Sequence, residues 1–213
     1  MGICITYKGK LNDPARVSEL IAEVQSWCGE LGWPCQEVTE PIEGIALRWG
    51  SRKQKLVHTT LRGIWAQPPG TETLVFSFDD RGRLVRYLEL PHELLRGKVC
   101  QEETYYLAGE IWVKTSGQVE EHIAIVDMLR KLKKKYITNL KVADEANYWE
   151  TSSRRELTHH HRLMDMALSF FENPEVMRGL LGLDDDATIK RIEKNVRLPV
   201  NPNRAARPAR TVN

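Results

Sequence analysis

A histidine close to paired carboxylates is the combination in this chain with the plainest chemical use. His122 carries an imidazole that changes charge near neutral pH, and Asp144 and Glu145 are adjacent acids. Such a group beside acids can transfer protons or bind a metal. Lys114, Thr115, Ser116 and Glu120 lie just before His122 and belong to the same candidate site. A purely structural reading competes: a first-turn helix histidine and a solvated acidic corner need no substrate.

Other reactive residues are less well organised. His159-His160-His161 are consecutive, so on a helix they point in three directions about 100° apart and cannot chelate one ion together. They lack the H-E-x-x-H arrangement of zinc-binding helices. Cys4, Cys28, Cys35 and Cys100 contain no C-x-x-C pair and offer no metal-ligand spacing. A Cys28–Cys35 bridge is conceivable, but reduced buried thiols are the expectation. Asp184-Asp185-Asp186 lacks the glycine and distal glutamate of a calcium loop and reads as a helix cap. No phosphate-cradling glycine loop and no G-x-S-x-G elbow is present, which disfavours P-loop, dinucleotide and serine-hydrolase chemistry. No cofactor and no metal is therefore expected.

Elements must bring His122 to Asp144. Thr104–Lys114 reads as a strand with a bend at Gly109, Gly117–Tyr136 as an amphipathic helix and Leu140–Ala143 as a returning strand. Val119, Ile123, Val126, Leu129, Leu132 and Tyr136 recur every three or four residues on one helix face. Ser116 or Gly117 is placed to cap the helix. In a β-α-β unit the helix starts where both strands end, and open α/β sheets bind ligands at that edge. The helix ends in Arg130–Lys135, which suits its dipole and reads as a solvated helix end; a phosphate-binding patch is the other reading.

A similar pattern occupies the start of the chain. Gly2–Lys8 alternates as a strand, Asp13-Pro14 opens a helix through Leu31, Gly32 and Pro34 end it, and Cys35–Thr39 returns. Residues 1–40 are thus a possible duplicate of 104–150. Between them Ile45–Trp49, Leu56–Thr60 and Arg62–Ala66 read as strands. Thr73–Phe78 and Arg83–Tyr87 around an Asp/Gly turn read as a hairpin. After Trp149, Ser153 with Glu156 forms a capping box for a helix over Arg154–Glu172. The fold class expected is α+β: two β-α-β elements around a mainly antiparallel sheet in a two-layer sandwich, with a helical C-terminal segment and an extended tail. Residues 1–150 form the core domain, 151–196 the helical segment and 197–213 an extended basic tail carrying Arg204, Arg207 and Arg210.

The totals bound the function. The chain has 213 residues, 41% of them hydrophobic and 28% charged, as in soluble globular proteins. Its net charge of +2 gives no global attraction to nucleic acid or membrane. No apolar run approaches the ~20 residues of a membrane span, and Met1-Gly2-Ile3-Cys4 does not begin a secretory signal, so a cytoplasmic location is expected. The function expected is that of a non-enzymatic binding or assembly module, a homodimer or other homo-oligomer with a possible protein partner. Nucleic acid is a weaker partner, through the basic tail. The alternative is a small metal-dependent or acid–base enzyme using His122, Asp144 and Glu145.

Overall fold

The computed structural model describes residues 2–47, 54–89, 104–116 and 119–172. The expected turn at 50–53, the segment 91–97, Gly117, Asp184–Asp186 and the basic tail lie outside them. The chain divides into two compact units, Met1–Met164 and Asp165–Asn213, and the account below concerns the first.

Among the described residues, eight strands form two sheets. β1 (Ile3–Lys8) lies between β7 (Ile111–Thr115) and β8 (Lys141–Asp144) and runs antiparallel to both. β7 and β8 are therefore parallel to each other, and α2 (Val119–Lys135) connects them as a β-α-β unit split by β1. The second sheet has the order β4 (Leu74–Phe78), β3 (Gln54–Ala66), β2 (Cys35–Leu47), β6 (Thr104–Ala108), β5 (Arg86–Glu89). All its pairs are antiparallel except β2 with β6. Sheets flanked by helices, with α4 (Arg154–Glu172) at the C-terminal side of the fold, give the expected α+β arrangement.

The β1–α1–β2 unit differs in strand placement from β7–α2–β8. β1 and β2 enter different sheets, so α1 (Val17–Leu31) joins the two sheets rather than two strands of one. Its start follows the sequence closely. Asp13 caps a short 3₁₀ turn over Pro14–Arg16, accepting from the Ala15 N–H at 2.9 Å, and Gly32 ends the helix at φ 68°. Leu20, Ile21, Val24 and Cys28 then face inward.

Three expectations about strands change. Thr104–Lys114 is two strands in two sheets, because the bend at Gly109-Glu110 passes the chain from one sheet to the other. β2 and β3 are continuous, thirteen residues each, where shorter strands were expected. β2 passes through Pro41 because β6 joins it at Ile45–Leu47, so Pro41 has a neighbour on one side among the described residues and its missing N–H breaks no ladder there. The Leu74–Tyr87 hairpin is brief. Phe78 bridges Leu84, Ser77 and Val85 exchange hydrogen bonds, and β5 then leaves to pair with β6.

The larger of two hydrophobic clusters among the described residues spans both sheets, and a small one groups Ile42, Leu61 and Val85. The larger includes Ile5 and Tyr7 of β1, Leu20 and Val24 of α1, Ile64 of β3, Phe76 of β4, and Val126 and Leu129 of α2. The alternation read in Ile3, Ile5 and Tyr7 places all three inside. Tyr7 fastens the sheets together: its hydroxyl donates to the Val75 carbonyl at 2.8 Å and accepts from the Val75 N–H at 3.2 Å. Among the described residues, no helix is long and apolar enough to cross a membrane.

Candidate functional site

The carboxyl ends of β7 and β8 lie on the two sides of β1, with Thr115 opposite Ile3 and Asp144 opposite Ile5. The first turn of α2 begins just beyond Thr115 and brings His122 over this end of the sheet. Thr115 Oγ1 lies 2.9 Å from His122 Nδ1, and His122 Nε2 lies 3.2 Å from Asp144 Oδ2. The His122 and Asp144 side chains are both 0% exposed.

Asp144 has further duties. Its Oδ1 accepts the Ala146 N–H at 2.9 Å, and its Oδ2 accepts the Trp149 N–H at 3.0 Å. The carboxylate thus shapes the turn from β8 into the short helix α3 (Tyr148–Thr151), which is entered through Asn147 at φ 57°. Asparagine is among the few residues that adopt this left-handed conformation readily. Burial pushes the Asp144 carboxyl up. The hydrogen bond and charge of His122, helped by the Ala146 and Trp149 N–H groups, outweigh burial and hold it below its ordinary value.

Two further rings enclose the imidazole. Tyr148 meets it edge-on at 6.3 Å and 84°, and His161 of α4 at 5.9 Å and 90°. Arg130 sets Tyr148 in place. Its guanidinium donates to the Tyr148 and Trp149 carbonyls at 3.1 and 2.9 Å and pairs with Asp127 at 3.0 Å.

Two proton arrangements satisfy these atoms. With a neutral imidazole, Nε2–H donates to Asp144 and the Thr115 hydroxyl donates to Nδ1. With an imidazolium, both ring nitrogens donate. Thr115 then accepts from Nδ1–H and turns its own hydrogen to the Ile3 carbonyl, 3.2 Å away. One hydroxyl rotation therefore accompanies the gain of one proton, and Asp144 balances the charge.

The sequence-predicted residues divide as follows. Thr115, His122 and Asp144 come together. Glu145 is exposed, and its carboxylate accepts the Cys4 N–H at 2.8 Å. Glu120 pairs with Arg154, Ser116 Oγ donates to the Gly70 carbonyl, and Lys114 is exposed. Among the described residues, no three His, Cys, Asp or Glu side chains could hold a metal ion together. Sequence reasoning missed Tyr148 and His161 as neighbours of His122. The signal for His161 was its spacing with Leu157 and Met164, which puts all three on one face of α4.

A separate trough of about 290 Å³ lies between α1 and α2, lined by Trp27, Leu31, Ile123 and Met128 with Glu30 and Lys131 at its rim. Thr115, His122 and Asp144 do not line it. No family model, curated protein or solved structure matches the chain closely enough to place it in a family.

Proposed function

We propose that this chain is a small acid–base enzyme in which His122 is the base, Asp144 its orienting counter-charge, and the Thr115 hydroxyl the group through which the proton passes. One observation carries the reading: a buried imidazole held at both nitrogens, between a hydroxyl at 2.9 Å and a carboxylate at 3.2 Å. Desolvating an ion pair is costly, and well-packed apolar residues often stabilise a core as well or better. A histidine that gains a proton inside a core needs a fixed acid to receive the charge, and Asp144 meets that need. Glu145 enters as the outer anion of the corner, fixing Cys4 at the start of β1. Among the described residues, no arrangement of comparable specificity stands behind the binding or assembly reading, with its homo-oligomer or protein partner.

The test is turnover of activated acyl and phosphoryl esters across a pH series, for the wild-type chain and for His122→Gln and Thr115→Val. The expected result is wild-type turnover that follows a single ionisation, is lost in His122→Gln and falls in Thr115→Val, with native circular dichroism in all three. Equal turnover by wild type and His122→Gln, or none by the wild type, ends the proposal.

A further inference from the structure

The basic end of α2 acquires a second feature from the fold. Lys131 and Lys133 are two residues apart, so they lie about 200° apart around the helix. Each rests over an indole contributed by another element. Lys131 Nζ is 4.9 Å from the centre of Trp27 of α1, and Lys133 Nζ is 5.4 Å from the centre of Trp149 of α3. Lys134 is exposed on the outer arc between them. Both tryptophans are half-buried and packed against the core, and Arg130 also lies over the Trp149 ring, 5.7 Å from its centre. The outer surface of α2 is therefore a strip of three ammonium groups with a tryptophan at each edge.

Three of the neighbouring acids are engaged by other bases, while Glu30 lines the trough beside Trp27 and Lys131. Asp127 is held by Arg130, Glu23 by Lys135 at 2.5 Å, and Glu120 by Arg154. Among the described residues, no carboxylate lies within ion-pair distance of Lys131, Lys133 or Lys134. A helix dipole explains bases at a C-terminus. It does not explain two indoles placed on opposite flanks of that terminus.

We propose that this strip is a binding surface for single-stranded nucleic acid, independent of the His122 site. Spaced phosphates meet the lysines, and unpaired bases stack on the outer faces of Trp27 and Trp149 as the ammonium groups move from the rings to the phosphates. Aromatic platforms interleaved with bases are the physical basis of single-strand binding. A duplex keeps its bases stacked inside and cannot use the rings. The site lies on α2 rather than on the C-terminal arginines.

The test is fluorescence anisotropy of the full chain with labelled oligo(dT) and with a duplex of the same length, for wild type and for a Lys131→Gln, Lys133→Gln, Lys134→Gln variant. Three lysine–phosphate contacts predict that single-strand affinity falls about 20-fold between roughly 50 and 200 mM salt. Affinity should fall at least about tenfold in the triple variant, and the duplex should bind more weakly than the single strand. Lys134→Gln alone, which touches neither ring, serves as the readout if the triple variant is not folded, and should also weaken binding. Wild type that binds no oligo(dT) at low salt overturns the proposal. So does a folded lysine variant that binds as tightly as wild type, which would assign binding to another segment, or a duplex bound as tightly as the single strand.

Discussion

Replacing Asp144 with alanine should be among the most destabilising single changes in this chain. It leaves three donors behind: His122 Nε2–H, the Ala146 N–H and the Trp149 N–H. His122 and Ala146 are 0% exposed, so their donors cannot recover a partner from water. A buried donor without an acceptor costs about 1–3 kcal/mol. Trp149 is half-exposed and its N–H adds less. Two full losses and one partial loss agree with the ~3–5 kcal/mol typical when one partner of a buried pair is removed. A cost of about 4 kcal/mol is a large part of a total stability of about 5–15 kcal/mol. With a urea slope of about 2–3 kcal/mol per molar, the unfolding midpoint should drop by roughly 1.3–2 M.

Asp144→Asn should cost much less, about 1–2 kcal/mol. The amide oxygen can keep the Ala146 N–H, and the amide NH₂ can donate to Nε2 of a neutral His122 that donates from Nδ1 to Thr115. That leaves only the Trp149 N–H without its carboxylate oxygen. The acid dependence supplies a second measurement. The Asp144 carboxyl sits below its ordinary value, so its stabilising contribution is complete above the unfolded-state pKa, near 3.9, and is lost as pH falls through the lower folded value. The gap between wild type and Asp144→Ala should therefore be full at neutral pH and shrink only below about pH 4. Urea unfolding followed by circular dichroism across that range tests both claims. An alanine variant within about 1 kcal/mol of wild type at neutral pH would refute the reasoning. A gap that stayed constant into acid would refute it as well.

Tyr7→Phe should cost about 1–3 kcal/mol in the same urea assay, because it strips a partner from both the Val75 N–H and the Val75 carbonyl. Burial pushes the Tyr7 phenol far above its ordinary value, so the folded chain should show one fewer tyrosinate in an ultraviolet titration than the unfolded chain. Gly63→Ala should lose about 3 kcal/mol or fail to fold, as judged by the thermal midpoint, since an added Cβ would lie 2.0 Å from the Phe76 carbonyl oxygen on the paired strand. The Cys28 thiol is pushed up to about 12 by burial and by the neighbouring Cys35. It should therefore resist alkylation at mildly alkaline pH until urea unfolds the chain, as read by peptide mass spectrometry.

Much of the local structure was legible because local chemistry decides it. Asp13, Pro14 and Gly32 bound a helix wherever the chain goes next, and the inward face of Val17, Leu20, Ile21 and Val24 follows from spacing alone. Strand lengths and partners were not legible, since they depend on neighbours far along the chain. Pro41 is tolerated inside β2 because β6 arrives beside that strand only four residues later. The separate strands read at Leu56–Thr60 and Arg62–Ala66 are one continuous β3, and the missing side chain of Gly63 lets β4 approach it. Leu74–Tyr87 has every local mark of a hairpin, but β5 gains more partners from β6 than the turn at Asp79 can offer.

The site was partly legible for a definite reason. Parallel strands joined by a helix must end on the side where the helix begins, so Thr115, His122 and Asp144 converge whatever lies between the strands. The strand between them could not be foreseen. β1 comes from the start of the chain, separates β7 from β8, and supplies the Ile3 carbonyl that receives the Thr115 hydroxyl in the protonated arrangement. Three segments more than a hundred residues apart at their extremes must therefore be in register before His122 has partners at both nitrogens. A slip of β1 by one residue would turn Ile3, Ile5 and Tyr7 out of the core and move the Ile3 carbonyl away from Thr115 together. The register that buries the core is thus the register that brings the Ile3 carbonyl to the Thr115 hydroxyl. A chain without the β1 pairing would lose the His122 environment as a unit, not by degrees.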